Sequence, residues 1–491
     1  MLQMDPTPEH DIEIALAHHR AGRVEEAELV YRSILSKHPG HPEALKYLGV
    51  LAGQLGHHDQ GLELLRMAHE ATPADAEIYV NRGMILQQLG RNADAQVAYQ
   101  EALRLGAQLP EVHNLLGSAL HAQGLFAQAI EQYRQALEMA GDFLPALGNM
   151  AAAQKDLGQW EEAARICHRM IELSPQMPEA YLQLAIVLGE AGKLDEAVEQ
   201  VKRGLELDEN NSDAWDLLGQ LLAQQGKLPE AAGCHLHAIS LDANTPRFHA
   251  HLGDALAGQG HLDKAIEAYR HAMALDPKDP QVHSRLLVAM GRLETIEPRA
   301  VYEEALNWGR AHAEKAPKFN THANVRDPQK VIRIGYVSPA FETMKAGGLS
   351  ERIVSGHDPA RVEAFCYSDA RGIHPLANVR WRDVAGLPDE RFCQIVREDQ
   401  IDILVDLVGH LPGNRLLALA RRPAPVQVSW GFPHTTGMTE IDYRLTNTVI
   451  PAGGEKYYSE KVVRLTTNSA DLVRDLERAY RRMWGDWCRS R

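Results

Sequence analysis

Cysteine is the side chain with the most chemistry of its own, and here its spacing points to none. Cys167, Cys234, Cys366, Cys393 and Cys488 are scattered, with no paired metal-ligand spacing. Reduced thiols of a cytoplasmic protein are therefore expected, with no metal and no disulfide framework. A better place for chemistry begins at Val331. Val331–Ser338 is a β-branched run ending at Ser-Pro, the signal of a buried parallel strand. Phe365–Tyr367, Ile401–Leu407, Val426–Trp430 and Tyr443–Leu445 read as four further strands. Helices fit between them at Leu349–Ser355, Asp389–Glu398 and Asn414–Ala420. Strands alternating with helices make a parallel α/β sheet, whose strand ends aim loops into a ligand crevice.

What must present anything to that crevice is the long segment before it. Gly22, Gly56, Gly90, Gly124, Gly158, Gly192, Gly226 and Gly260 recur at an unbroken spacing of 34. A second comb at this spacing holds only small residues: Ala15, Gly49, Gly83, Gly117, Ala151, Ala185, Gly219 and Gly253. A third runs Ala27, Gly61, Ala95, Ala129, Ala163, Ala197, Ala231 and Ala265. The first comb supplies a glycine that ends a helix in a left-handed conformation. The others mark where paired helices approach too closely for a larger side chain. Pro39, Pro73, Pro175 and Pro277 close several repeats. Helix pairs repeating every 34 residues are tetratricopeptide repeats, so residues 8–279 are expected to form an α-solenoid, a superhelix of about eight repeats.

After the eighth period the pattern slips. Residues 280–316 read as a helical cap over the last repeat, and 317–330, with no apolar period, as a linker. Charge divides the chain too. From residue 331 on there are 22 basic and 20 acidic side chains, leaving 29 and 46 of the totals of 51 and 66 before it. An acidic array argues against nucleic acid as its partner. No run of about 18 apolar residues occurs, so no membrane span is expected. The first residues carry acids and histidines rather than an apolar stretch, so no secretory leader is expected either.

Several strings in the second half resemble a known family. D-I-L-V-D-L-V-G-H, G-N-R-L, A-R-R-P-A-P-V-Q-V-S-W-G-F-P-H-T-T-G-M and I-D-Y-R-L-T resemble the first catalytic lobe of the SPINDLY-type protein O-GlcNAc transferases. R-I-G-Y-V-S-P and Y-S-E-K-V-V-R-L (Tyr458–Leu465) are similar to the same family. The resemblance covers roughly residues 331–465 and implies a fold: the first Rossmann-like lobe, half of a GT-B type glycosyltransferase, behind a repeat array. It also implies a reaction, transfer of N-acetylglucosamine from UDP-GlcNAc to Ser or Thr of polypeptide clients held in the concave groove. UDP-GlcNAc would be a substrate, and no cofactor is implied. Such transfer needs an oriented hydroxyl, a stabilised diphosphate and a path for the proton.

Residue by residue, the resemblance implies catalytic roles for Asp399, matching an acid discussed as proton acceptor, and His410, at a G-H-T position where Leu411 replaces Thr. A structural, hydrogen-bonded His410 and a solvated, helix-terminal Asp399 are the alternatives. Gly431, Pro433, Thr435 and Thr436 match the sugar-side loop, although the loop is one residue short and His434 stands for a glycine. An imidazole there would obstruct a sugar that needs close backbone approach. Asn81 and Asn149 match the asparagines that grip client backbone, with ordinary solvated residues as the alternative. The family's S-x-D-F-x-x-H reads Ser338-Pro339-Ala340-Phe341-Glu342-Thr343-Met344 here, and Met344 cannot move a proton. Arg415, Arg421 and Arg422 could face an anionic donor or brace the sheet.

Only 26 residues follow Leu465, whereas one βαβ unit takes about 30, so the UDP-gripping second lobe is not expected in this chain. Residues 331–467 then form a partial lobe, and 470–488 resemble the family's final helix, with Leu472, Leu476, Tyr480, Met483 and Trp484 as its packing face. Two functions compete on the sequence alone. One is an O-GlcNAc transferase inactive without its donor lobe; the other is a peptide-holding scaffold. A homo-oligomer or a separate chain carrying the missing lobe is compatible with either.

Overall fold

The computed structural model describes residues 8–339, 341, 353–369, 378–430, 432–446, 454–465 and 472–490. Met344 and Gly431 lie outside them, as do Ala340 and residues 466–471. The chain forms two compact units, Met1–Gln225 and Gly226–Arg491.

The first unit is a run of helices from Pro8–Arg20 to Ser212–Gln224, each of 12 to 14 residues. The combs explain how the repeats of both units are built. All eight glycines of the first comb sit at φ between +71° and +83°. At Gly90 the next N–H, of Arg91, reaches back 2.8 Å to the Leu86 carbonyl and closes the helix end. The second comb is a matter of space. A β-carbon on Gly83 would lie 2.4 Å from the ring of Tyr99, and one on Gly117 would lie 2.5 Å from that of Tyr133. Tyr99 and Tyr133 fill the space so left and are fully buried, as are Ala95 and Ala129 of the third comb.

The second unit opens with helices Leu228–Leu241, Pro246–Gly258, Leu262–Leu275, Pro280–Arg292 and Pro298–Trp308. The last continues into a π-helical turn, Gly309–Ala313. Val282, Leu286, Ala289, Met290 and Val301 cover Ile266 and Tyr269 of the preceding repeat. The same helices also turn Leu287, Ala305 and Trp308 onto the sheet.

Seven strands follow: β1 Ile332–Ser338, β2 Val362–Ser368, β3 Val379–Asp383, β4 Ile403–Asp406, β5 Val426–Trp430, β6 Tyr443–Thr446 and β7 Lys461–Arg464. They form one sheet in the order β3-β2-β1-β4-β5-β6-β7, every pair parallel. From β1 the chain steps outward to β3 and then returns to β4, so the switch point lies between β1 and β4. Residues 314–330 contain no helix or strand, yet they are tied down. Asn324 and Lys330 each donate at 2.8 Å to the buried carboxylate of Asp402, and Phe319 N–H donates to Arg421 O. One face of the sheet packs on helix Leu472–Arg489, which buries Leu472, Leu476, Tyr480, Met483 and Trp484. That is the face read from the spacing. Among the described residues, no helix is long and apolar enough to cross a membrane.

Candidate functional site

In an open parallel sheet the useful surface is at the carboxyl ends of the strands. Register places Asp406, Ser429 and Arg444 in one row across β4, β5 and β6. Asp406 ends β4, fully buried, and its carboxylate accepts the N–H groups of Val408 (3.1 Å) and Gly409 (2.9 Å). Burial pushes its carboxyl up to about 6, against the pull of those two N–H groups. The turn they fix needs Gly409, at φ +60°, because a β-carbon would lie 2.5 Å from Phe432.

His410 follows, 1% exposed. Its Nε2–H donates to the Thr436 carbonyl at 2.9 Å, so Nδ1 accepts from the Ser284 hydroxyl at 3.0 Å. Trp308 and Phe432 meet the ring edge-on. Burial draws His410 down to about 3, so the imidazole is neutral with both nitrogens in use.

The loop after β5 is clamped from below. Glu460, 4% exposed, accepts from Thr435 Oγ1 at 2.6 Å, from Thr436 N–H at 2.7 Å and from Thr436 Oγ1 at 2.5 Å. Arg444 donates to the carbonyls of Phe432 and His434. Thr435 and Thr436 thus spend their hydroxyls on holding the loop. Pro433, just before them, has its carbonyl 3.4 Å from the Tyr458 hydroxyl. His434 Nε2 donates to the Gly291 carbonyl at 3.1 Å, on helix Pro280–Arg292. Gly437, at φ +72°, lets the loop meet Ala305, whose carbonyl would lie 2.0 Å from a β-carbon.

Asp399 belongs to neither cluster. It caps helix Asp389–Glu398, four residues before β4, while His410 lies four residues after it. Arg382 grips its carboxylate through two bonds, at 3.0 and 2.6 Å, and the Tyr367 hydroxyl donates a third at 2.9 Å. The arginines brace. Arg415 spends its donors on Asp369, Asp389, Leu387 O and Val384 O, and Arg422 spends its own on Glu440 O, Pro425 O and Asp442. Asn81 and Asn149 belong to the first unit. Asn149 donates to Asn114 Oδ1 at 2.9 Å, whereas Asn81 Nδ2 is shielded without a partner among the described residues. Asp406, Arg444 and Glu460 were not singled out from sequence. Each gains its meaning only from strand order.

A cavity of about 290 Å3 opens between helices Pro246–Gly258 and Pro280–Arg292 and the His410–Pro412 turn, with Ala257, Val288 and Leu411 among its apolar walls. Comparison with known proteins fits this geometry. The profile of Glycosyl transferase family 41 matches residues 305–481. Residues 305–481 belong to that family. Tetratricopeptide repeat profiles match residues 9–51, 75–142 and 155–221, and a TPR repeat profile matches 253–293. The chain thus joins tetratricopeptide repeats to a segment of Glycosyl transferase family 41 type.

An Arabidopsis thaliana protein named as a probable UDP-N-acetylglucosamine–peptide N-acetylglucosaminyltransferase SPINDLY is 35% identical over 191 residues, 36% of this chain and 21% of the relative. A Caenorhabditis elegans UDP-N-acetylglucosamine–peptide N-acetylglucosaminyltransferase is 36% identical over 129 residues, 24% of this chain and 11% of the relative. Among solved structures, a lysine-to-methionine variant of Thermobaculum terrenum O-GlcNAc transferase aligns with TM-score 0.54 at 36% identity, covering 59% of this chain and 57% of that one. The chain therefore spans about a fifth of the length of the SPINDLY relative.

Proposed function

We propose that this chain is the acceptor-side half of a SPINDLY-type protein O-GlcNAc transferase. The repeats hold a polypeptide, and the lobe presents its Ser or Thr hydroxyl for transfer of N-acetylglucosamine from UDP-N-acetylglucosamine. The observation that carries the reading is the family-type loop Phe432–Gly437, fixed by Glu460 and Arg444 at the carboxyl end of the sheet. The apolar cavity beside His410 would receive the client segment leaving the last repeats. A reducing, cytoplasmic setting suits five free cysteines, of which Cys167, Cys366 and Cys393 have thiols pushed up to about 12 by burial.

A second reading, a peptide-holding scaffold without transfer, is favoured by one observation. Both catalytic candidates are consumed by structure: Asp399 by Arg382 and Tyr367, His410 by Ser284 and Thr436. Calorimetric titration with UDP and assay of labelled sugar transfer to a peptide library decide between them. Micromolar UDP affinity with transfer supports the enzyme. Peptide capture with no UDP binding leaves the scaffold.

A further inference from the structure

Four histidines, His283, His312, His410 and His434, gather where helices of residues 280–313 meet the sheet. His283, 3% exposed, donates Nε2–H to the Glu304 carboxylate at 2.9 Å, and its Nδ1 lies 3.0 Å from His312 Nε2. Those two imidazoles face each other nitrogen to nitrogen, so one N–H fits between them and two do not. His312 also packs on Trp308, with ring centroids 5.4 Å apart. The other face of Trp308's surroundings is His410, whose two nitrogens tie Ser284 of helix Pro280–Arg292 to Thr436 O of the loop after β5. The fourth, His434, bonds that loop to Gly291.

The charged groups facing this array are few. Glu304 answers His283, with Arg270 beyond it; Asp279 faces His312; Arg444 faces His434. Among the described residues no carboxylate makes an ion pair with His410, His312 or His434. A proton added to His410 or His434 is therefore buried without a paired counter-charge, one on His312 has only Asp279 to answer it, and burial holds all three below the usual imidazole range.

We propose that this junction is an acid-released latch. At neutral pH the neutral imidazoles pin the turn after β4 and the loop after β5 onto helices 280–313; proton uptake by the opened form lets them part. Folded values below the free-chain value mean that the opened form binds protons first. The latch is thus fully closed above about pH 6.5 and weakens as pH falls below it. Each depressed histidine makes opening up to about tenfold easier per pH unit. The inference does not rest on the transferase reading.

Hydrogen exchange of the full chain at about pH 7.5 and about pH 5.5, corrected for intrinsic rates, tests it. Segments 280–313 and 432–438 are expected to lose at least roughly tenfold more protection on acidification than helices of residues 8–225. A uniform change, or none, overturns the proposal. His312→Gln keeps a side-chain N–H for His283 Nδ1 but cannot take a proton, so it should lose several-fold less protection at the lower pH. Equal losses in variant and parent overturn the assignment to these histidines. Should the variant not fold, the two-pH comparison of the parent chain still decides the latch itself.

Discussion

The two halves of this chain are stabilised over different distances. In the repeats, side-chain hydrogen bonds between helices reach no further than about one period: Tyr99 to Gln87 spans 12 residues, and Asn114 to Asn149 and His121 to Asp156 both span 35. In the lobe, Trp484 reaches Asp327 across 157 residues, and Glu477 reaches Asp358 across 119. Repeats stacked on neighbours share stability locally, so damage stays local. A sheet closed by a distant helix gathers its core from the whole domain, so damage spreads.

The largest test of that contrast is Trp484→Ala. The indole is fully buried in the core under β1, stacks on Trp487 and donates its N–H to Asp327 O at 2.9 Å. Truncation is expected to cost about 3–5 kcal/mol. Denaturant unfolding should give that loss, and region-resolved hydrogen exchange should place it across the whole sheet while helices of residues 8–225 keep their protection. Loss spread evenly through both halves would break the comparison.

A second variant sharpens it within the lobe. Glu460→Ala removes the acceptor shared by Thr435 and Thr436 and strands the buried Thr436 N–H and hydroxyl, while Thr435 Oγ1 keeps the Ser459 hydroxyl at 2.8 Å. A cost of roughly 3 kcal/mol is expected, with exchange at Thr436 and Gly437 rising first. Glu460→Gln retains one acceptor oxygen and should cost less. If both variants melt like the parent, the clamp does not hold the loop.

The same contrast explains what could be read from sequence. The repeats declared themselves because each constraint recurs every 34 residues: a left-handed glycine, a small residue under a ring, a small residue at the crossing. In the lobe, Asp389–Glu398 and Val426–Trp430 were legible to the residue, since amphipathic spacing and β-branched runs are local signals. The edge strands were not. Val379–Asp383 and Lys461–Arg464 are short, charged and part-exposed, because an edge has one neighbour and half a core to face. The site was legible as a set of strings and illegible as contacts. Nothing near His434 says that Gly291 will accept its hydrogen bond from 143 residues away. Nor does anything near Asp399 reveal that Arg382 will consume it.

The smallest effects belong to the array, where two glycines seven positions apart separate space from conformation. Gly83 lies under Tyr99, whose hydroxyl is anchored to Gln87 at 2.5 Å, so the ring cannot retreat from a β-carbon 2.4 Å away. Gly83→Ala is expected to cost about 1–3 kcal/mol by overpacking. Gly90 has nothing within 4 Å of where its β-carbon would be, and its only demand is φ +71°. Gly90→Ala should therefore cost about 1 kcal/mol, the strain of a left-handed alanine. Gly90→Asn should cost less than Gly90→Ala, because asparagine tolerates that conformation. The same replacement at Gly83 should be worse than alanine, because it adds bulk where space is the constraint. Urea midpoints of these four variants would show the crossing order if position 90 is limited by conformation and position 83 by volume. A common order at both sites would mean that one constraint governs both.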